Sequence, residues 1–341
     1  MPAGIGTKVA ILHGAVPHDA PPDDQDTLVQ VEAVSGALTR LGWTPEPLPV
    51  TLDLAAMVLG LEEMSPAVVF NLVESIGGVV RHLHLPTAVM DAMGLPYTGC
   101  GTEALFETTD KLMTKRRLRD AGIATPNWFA EGDPDNGLSG GMIVKPVAED
   151  SSIGIDAGSV VANAAAARRR MAEMRARRGG RYFAEAFLDG REFNIAMIEL
   201  PGRAADDPLV LPAGELCFIA FPPDLPRIAD YTAKWDATSH GYSHTPIRLG
   251  IPPEDAGLVQ KMKETAQTCW RLFGLSGYAR MDFRCDESGK PYVLEINPNP
   301  ALSHDTGLTR MLQRAGMSFD QGIDAIVRSA LRGHEPLRQA V

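Results

Sequence analysis

The sequence has little that would let it hold metal through sulfur or brace itself with disulfides. Its four cysteines, Cys100, Cys217, Cys269 and Cys285, lie far apart and form no CxxC pair. That spacing argues against zinc-ribbon and disulfide-framework architectures and leaves reduced thiols as the expectation. No apolar run approaches the ~20 residues of a membrane span. The opening MPAGIGTKVAILHG has neither the charged region nor the long apolar core of a secretory leader, so a cytoplasmic location without a membrane partner is expected. Positive charge is also scarce. With 32 basic against 43 acidic residues the formal charge is −11, which gives no global field to attract nucleic acid. An anionic ligand must therefore be held by local cations. The loop after the first apolar run has no GxGxxG, so a dinucleotide fingerprint is unsupported. No internal repeat and no Ser/His/Asp nucleophile arrangement stand out.

What is present is a chain of 341 residues, 45% apolar and 22% charged, long enough for a substantial core and two or three subdomains. Residues 8–12 read as a short buried strand. A Pro- and Asp-rich loop follows, with Asp26 or Thr27 expected to cap a helix reaching about residue 41. A second buried-type strand at 68–73 and a helix at 84–93 complete an alternation that points to a parallel α/β sheet. From Asp110 the pattern becomes helix, strands at 141–145 and 181–187, and an Ala/Arg-rich helix between them, a separate α+β unit. A third region from about Glu192 holds strands, a Pro-punctuated loop over 221–246, a helix near 254–273, a hairpin and a closing helix from 319 to about 331. The Arg-rich run AAAARRRMAEMRARR reads as a solvated helix, not a nucleic-acid patch.

The most informative stretch is GYARMDFRCDESGKPYVLEINPN, residues 277–299. Two alternating runs, 278–283 and 292–296, flank Ser288-Gly289 and predict a hairpin with a two-residue turn. Pairing Glu287 with Lys290 sets Asp282 opposite Glu295 and Arg280 opposite Asn297, all four on one face. The segment is either an ordinary exposed hairpin or a cation site, since opposed carboxylates repel unless a divalent cation or a proton intervenes. Asp, Glu and Asn offer the hard oxygens that Mg²⁺ takes beside nucleotide phosphates, and Arg280 could neutralise a transferring phosphoryl group. Asn297-Pro298-Asn299-Pro300 then ends the strand abruptly.

Upstream, Lys145 closes the β-type run MIVKP and precedes Glu149-Asp150-Ser151-Ser152-Ile153-Gly154, an arrangement able to clamp a phosphate chain through one point charge plus loop amides and hydroxyls. Alone, Lys145 also fits a solvent-exposed lysine before a turn, and Lys111 in TTDKLMTKRRL an ordinary helix residue. Taken in order, these segments resemble the ATP-grasp superfamily and, within it, the D-alanine:D-alanine ligases. The matches are Gly94-Leu95-Pro96-Tyr97-Thr98-Gly99, Asp110-Lys111, Val144-Lys145-Pro146 with Ser151 to Gly154, Phe183-Ala184-Glu185 with Gly190-Arg191-Glu192-Phe193, Arg280-Met281-Asp282-Phe283 and Leu294-Glu295-Ile296-Asn297. They extend over roughly residues 65–330 and are specific in combination.

The resemblance implies an α/β and α+β chain with an ATP-grasp fold. An N-terminal Rossmann-like domain would cover residues 1–108, a small ATP-grasp subdomain 109–190, and a C-terminal subdomain with metal site and lid loop 191–341. It implies that Lys111, Lys145 and Ser152 bind ATP phosphates, that Glu185 meets the adenine and Glu192 the ribose. Asp282, Glu295 and Asn297 would hold two Mg²⁺ ions, with Mn²⁺ as an alternative. Arg280, Lys234 and Ser151 would serve the chemical step, Lys234 reaching the terminal phosphate from the closing loop Asp230-Tyr231-Thr232-Ala233-Lys234-Trp235. The implied activity is ATP-dependent joining of a small carboxylate to a small amine through an acyl phosphate. A small-molecule kinase and a non-catalytic nucleotide-binding regulator are the other readings. A homodimer is the family's common state.

Departures concentrate where such ligases recognise D-alanine. Their glycine-rich N-terminal turn and following Glu are replaced by HGAVPHDAPPDDQD, and the closing loop carries Trp235 in place of Tyr, without the phenolic hydroxyl that helps tie the lid. Ala301 stands where a glycine is usual, and Phe70-Asn71-Leu72-Val73-Glu74-Ser75 replaces a His-containing segment. A substrate ammonium needs an acidic partner, so Glu74 and the Asp23, Asp24, Asp26 cluster are candidates. Glu74 also fits a cap of the following turn. Ser303, His304 and Thr306 offer donors for a substrate carboxylate, with Arg81 and His82 as further candidates.

Overall fold

The computed structural model describes residues 6–332 apart from 136 and 224. Its first region contains β1 (Lys8–Gly14), α1 (Pro22–Arg40), β2 (Thr44–Val50), α2 (Leu54–Met64), β3 (Val68–Asn71), α3 (Leu85–Met93) and α4 (Thr102–Thr109). The three strands form a parallel sheet in the order β2-β1-β3, as the alternation of strands and helices predicts. β2, TPEPLPV, escapes a sequence reading because Pro45, Pro47 and Pro49 read as breakers. Thr44 donates its N–H to Thr7, so the prolines occupy the alternate positions facing the free edge. There a missing donor costs no ladder bond and blunts the edge.

The second region runs through α5 (Lys111–Asp120), β4 (Trp128–Ala130), β5 (Met142–Pro146), β6 (Val160–Val161), α6 (Ala164–Arg178) and β7 (Tyr182–Ala186). Its antiparallel sheet has the order β4-β7-β5-β6. The third region holds β8 (Glu192–Ile198), β9 (Leu209–Val210), β10 (Gly214–Leu216), α7 (Tyr231–Trp235), α8 (His240–His244), β11 (Ile247–Arg248), α9 (Ala256–Leu272), β12 (Tyr278–Cys285), β13 (Pro291–Asn297), α10 (Gly307–Arg314) and α11 (Phe319–Arg332). Its sheet runs β11-β10-β8-β12-β13, with β9 also on β8. The segment expected as a long loop thus carries two short helices.

Buried apolar groups join the first and third regions. Ala10, Leu12 and Val69 share one cluster with Phe193, Ile195, Met281 and Ile296, and Val9, Ile11 and Phe70 share another with Ile198, Leu312 and Ile326. The second region keeps a core of its own around Phe129, Met142, Val144, Met171 and Tyr182. The first and third regions are in tight register at one point, where a Cβ on Gly277 would lie 2.8 Å from the Gly99 Cα. Gly277 also has φ +66°, so two independent constraints demand glycine there.

Two expectations need correction. The helix assigned a cap at Asp26 or Thr27 starts at Pro22, without a side-chain cap. Proline at its first position needs no N–H partner, and Asp23 and Asp24 in its first turn complement the helix dipole. The β12–β13 turn spans three residues, not two: Asp286 accepts from Gly289 and donates to Lys290, and Gly289 has φ +81°. This one-residue shift is reversed by a bulge beyond Asp282, where Phe283 faces Val293 and Leu294 is left out. Asp282 therefore does face Glu295, and Arg280 faces Asn297. The bulge also turns Leu294 and Glu295 toward the same cavity, which strict alternation forbids.

Candidate functional site

The site is built where the second and third sheets face each other. At the start of α5 the Asp110 carboxylate accepts from the N–H groups of Leu112 and Met113, both at 3.0 Å. This N-cap fixes the first turn and sets Lys111 and Lys115, four residues apart, on one buried face. Lys145 is the last residue but one of β5, and Glu185 lies on β7, its neighbour. In the third sheet Arg284 stands opposite Glu192 and Asp282 opposite Asn194. Both pairs are bonded, Asn194 to Asp282 at 2.7 Å and Arg284 to Glu192.

These side chains enclose a cavity of about 300 Å³, with Ile143, Phe187, Leu188, Leu216, Ile228 and Leu294 supplying apolar wall. Its charged lining is five cations, Lys111, Lys145, Lys234, Arg280 and Arg284, and six carboxylates, Glu149, Asp150, Glu185, Glu192, Asp282 and Glu295. Most are paired. Lys145 and Lys115 lie 2.7 and 2.5 Å from the two oxygens of Glu185, Arg280 clamps Asp282 at 2.7 and 2.8 Å, and Lys111 meets Asp150 at 3.3 Å and Glu295 at 3.4 Å. Burial alone would raise the Glu295 pKa, but Lys111, Lys145, Lys234 and Arg280 overcome it and hold it at about 2. At Asp282 burial wins over Arg280 and the pKa is raised. Lys234 is exposed over part of its surface; desolvation at its cavity side, with Arg280 adding to it, lowers its pKa against Glu295, Asp282 and Glu192.

A second cavity, about 1090 Å³, adjoins the first and shares Glu149, Asp150, Ser151, Lys234, Arg280 and Glu295 with it. Asp282 lines only the first cavity and Asn297 only the second, so the hairpin face straddles the boundary. The second cavity is bordered by Asp23, Asp24, Asp26 and Glu74 from the first region and by Ser303, Thr306 and Gly307 near the start of α10. Gln30 bridges the acidic side chains, donating to Asp26 at 3.0 Å and Glu74 at 2.9 Å, while its oxygen accepts from the Leu302 N–H. Burial, opposed by Gln30 but reinforced by Asp26, Asp150 and Asp24, raises the Glu74 pKa to about 7. The hydrogen bond this carboxylate accepts comes from Gln30, so the turn-capping reading of Glu74 is not what the geometry favours.

The closing segment lies over the boundary. Ser151 and Ser152 both adopt left-handed φ, +53° and +61°, a conformation rarely held by non-glycine residues and common at binding loops. Ser152 Oγ donates to the Ala229 carbonyl at 2.6 Å, and Trp235 Nε1 donates to the Ser151 carbonyl at 3.3 Å. The phenolic hydroxyl missing at position 235 is matched one helical turn earlier, where the Tyr231 hydroxyl donates to Asp23 at 2.7 Å.

Of the residues singled out from sequence, Lys111, Lys145, Ser151, Ser152, Glu185, Glu192, Lys234, Arg280, Asp282 and Glu295 line the first cavity, and Glu74, Asn297, Ser303 and Thr306 the second. Two of the candidate carboxylate binders have contacts of their own. His304 lies outside both linings, its exposed ring packed on Phe319 at 4.7 Å between centroids. Thr306 is the N-cap of α10, its hydroxyl accepting from the Thr309 N–H and donating to the Ser303 carbonyl. Arg284, Gln30 and Tyr231 were missed. Arg284 was within reach, since it continues the 280, 282 alternation; nothing local marks Gln30.

The oxygen set fits a hard divalent cation. Asp282, Glu295 and Asn297 share one face, Glu295 is held ionised, and the excess of carboxylates in the first cavity would repel a polyphosphate unless cations joined it. Among the described residues, no cluster of three or more His, Cys, Asp or Glu is disposed to hold a metal, so amide and ligand oxygens would have to complete any shell.

Residues 131–328 match the family model for the D-ala D-ala ligase C-terminus. A D-alanine–D-alanine ligase of Nitrosococcus oceani is 32% identical over 71% of each chain, and one of Gluconobacter oxydans is 29% identical over 95% of this chain and 99% of its own. An uncharacterised protein of Sinorhizobium fredii is 30% identical over 77% and 74%. The crystal structure of the Bacillus anthracis D-alanine–D-alanine ligase complexed with ATP superposes with a TM-score of 0.70 at 18% identity, covering 97% and 99% of the two chains.

Proposed function

Since the chain belongs to the D-alanine–D-alanine ligase family and is an ATP-dependent carboxylate–amine ligase of the ATP-grasp type, we propose that its two cavities are the nucleotide and amino-acid halves of that reaction. The observation that carries this is their meeting at Lys234, Arg280 and Glu295, where a phosphoryl group passing from one cavity to the other would sit among a carboxylate and two cations. Family membership favours ligation over a kinase or a non-catalytic regulator. No helix among the described residues is long and apolar enough to cross a membrane.

In this reading the apolar wall around Phe187 and Leu188 takes the base, Glu192 the ribose, and Lys111, Lys145 and Ser152 the phosphates. Glu185 sits beneath them with its carboxylate between two lysines, so its part is to hold Lys145 as much as to face the base. Asp282, Glu295 and Asn297 would hold two divalent cations, Mg²⁺ by preference, which when bound supply neutralisation of phosphate charge. A substrate carboxylate attacks the terminal phosphorus and ADP leaves. The amine then attacks the acyl carbon, and inorganic phosphate departs from the tetrahedral intermediate. Arg280 and Lys234 face the negative charge that grows in both steps, and closure of the segment carrying Lys234 and Trp235 excludes water from the acyl phosphate. The acidic wall of Glu74 and Asp26 takes a substrate ammonium, and the Ser303 side a carboxylate. Division into subdomains at about residues 108 and 190 separates the base-and-phosphate clamp from the metal face.

The test is phosphate release with ATP and Mg²⁺ against amino acids offered in pairs, D-alanine included. Equal yields of ADP and phosphate that depend on both partners support the ligase; ADP without free phosphate points to a kinase; no turnover with any pair overturns the reading.

A further inference from the structure

Lys115 is the most deeply buried cation among the described residues, and this chemistry leaves it without a task. Its side chain is 1% exposed and lines neither cavity. Its ammonium donates to Thr125 Oγ1 at 2.8 Å, lies 2.5 Å from Glu185 and sits 5.7 Å from the centre of the Trp128 ring. On its far side Glu185, also 1% exposed, holds Lys145 at 2.7 Å. Three charges thus form a buried row, Lys145, Glu185 and Lys115, of which Lys145 and Glu185 face the nucleotide cavity and Lys115 stands behind them. Burying such a row is costly, and replacing it with apolar side chains is often neutral or stabilising, so stability alone is a weak reason for it.

Charge counting gives a better one. Lys145 and Glu185 alone cancel, and the wall below the phosphate chain would be neutral. With Lys115 behind them the row carries one net positive charge, and the Glu185 carboxylate is shared instead of spent on Lys145. Resting on the reading of the first cavity as the ATP site, we propose that Lys115 is a positioning residue for nucleotide binding: by holding Glu185 from behind, it leaves Lys145 free to engage the phosphates and keeps that wall positive. Thr125 and the Trp128 ring fix the ammonium in place. Burial lowers the Lys115 pKa and Glu185 opposes it, while Lys115 and Lys145 together hold Glu185 ionised against its own burial.

The charge count supplies its own test, a double-mutant cycle read by calorimetric ATP binding and by phosphate-release kinetics on the full chain. Lys115→Met keeps the aliphatic stem and makes the row neutral. It is expected to weaken ATP binding about tenfold and to raise the KM for ATP likewise, with kcat at saturating ATP and the KM for the amino substrate little changed. Lys115→Met/Glu185→Gln restores one net positive charge and is expected to recover most of the lost affinity. Lys115→Arg, which keeps the charge, should stay close to the parent. ATP affinity in Lys115→Met equal to the parent's overturns the proposal, as does a double variant that melts cooperatively yet binds no better than the single one. If Lys115→Met does not melt cooperatively, the double variant decides alone: parent-like affinity supports the proposal and weak affinity overturns it. A parent protein that binds no ATP overturns the nucleotide reading itself.

Discussion

In the first cavity each of Glu185, Glu192, Asp282 and Glu295 has a cation against it, whereas in the second the charged neighbours that act on Glu74 are Asp24, Asp26 and Asp150. The carboxyl groups show the consequence in part: in the first cavity Glu185 and Glu295 are lowered although burial raises Asp282 and Glu149, while in the second Asp24, Asp26 and Glu74 are all raised, burial being the leading cause in each. The first cavity has neutralised most of its carboxylates before any ligand arrives, and its cations stand ready for a polyanion with metal. The second lining also carries cations, Arg81, Arg178, Arg181, Lys234 and Arg280, but no ion pair is described between any of them and Asp24, Asp26 or Glu74, so a positively charged guest would offset the cost of burying those carboxyl groups. On the proposed assignment, one site is organised around the nucleotide and the other around the amino-acid substrate.

The sharpest way to break this contrast is at the shared wall. Of the three carboxylates that line both cavities, Glu149, Asp150 and Glu295, Glu295→Gln removes the one on the metal face while keeping its shape. Mg²⁺-dependent turnover should fall on the order of 10²–10³-fold, with the melting curve still cooperative. Near-parental activity at limiting Mg²⁺ would show that Glu295 is part of the salt-bridge scaffold around Lys111 and not of the metal site.

The contrast also explains what sequence reading reaches. The first cavity was legible because its residues fall in short contiguous motifs on regular elements: Arg280 and Asp282 alternate on β12, and Glu295 and Asn297 on β13. The face was read correctly through a turn that was read wrongly, because the extra turn residue and the Leu294 bulge cancel. No local pattern announces such compensation. The second cavity was legible only in part. Glu74 and the early aspartates are conspicuous as charges, but their joining depends on Gln30, which reaches Glu74 across 44 positions. The three prolines of β2 hid a strand, and α10 was not foreseen, so the capping duty of Thr306 could not be told from substrate binding.

Glu74→Gln probes the other half. Loss of a charged partner for an ammonium costs about 1.5–3 kcal/mol, so the KM for the amine-bearing substrate should rise about 10- to 100-fold while the KM for ATP stays put. With its pKa raised to about 7, parental Glu74 binds an ammonium only once ionised. That KM should therefore fall as pH rises through 7 in the parent and stay flat in the variant. Stability should move the other way. A carboxyl raised above its unfolded value binds protons more tightly when folded, so the parent loses stability as pH climbs from about 4.5 to 7, by about 2 kcal/mol after allowance for screening at its open side. The variant should melt several degrees above the parent at pH 8 and level with it at pH 4. Equal melting at both pH values, with unchanged KM, would make Glu74 an ordinary partner of Gln30.

The smallest expected effect concerns the strap between the halves. Tyr231 belongs to the closing segment and Asp23 to the acidic wall, and their 2.7 Å hydrogen bond is the described contact by which the lid over the nucleotide reaches the amino-acid side. Asp23 is acidic surplus there, and Tyr231 takes up one of its oxygens without adding positive charge; the phenol stays protonated, its pKa raised to about 12 by burial and by Asp23. Tyr231→Phe removes one bond to a charged acceptor, worth about 1 kcal/mol in this partly open setting, and leaves the Trp235 and Ser152 bonds to the loop 149–155 intact. If the strap couples the two halves, the variant should show about a fivefold loss in the protection that ATP with Mg²⁺ gives residues 225–245 against proteolysis, and the loss should grow when the amino substrate is also present. Trp235→Phe, which cuts the tie to the loop alone, should weaken protection equally with and without amino substrate. Identical behaviour of the two variants would mean that the closing segment responds to the nucleotide cavity only, and that the two halves communicate through their shared wall and not through the strap.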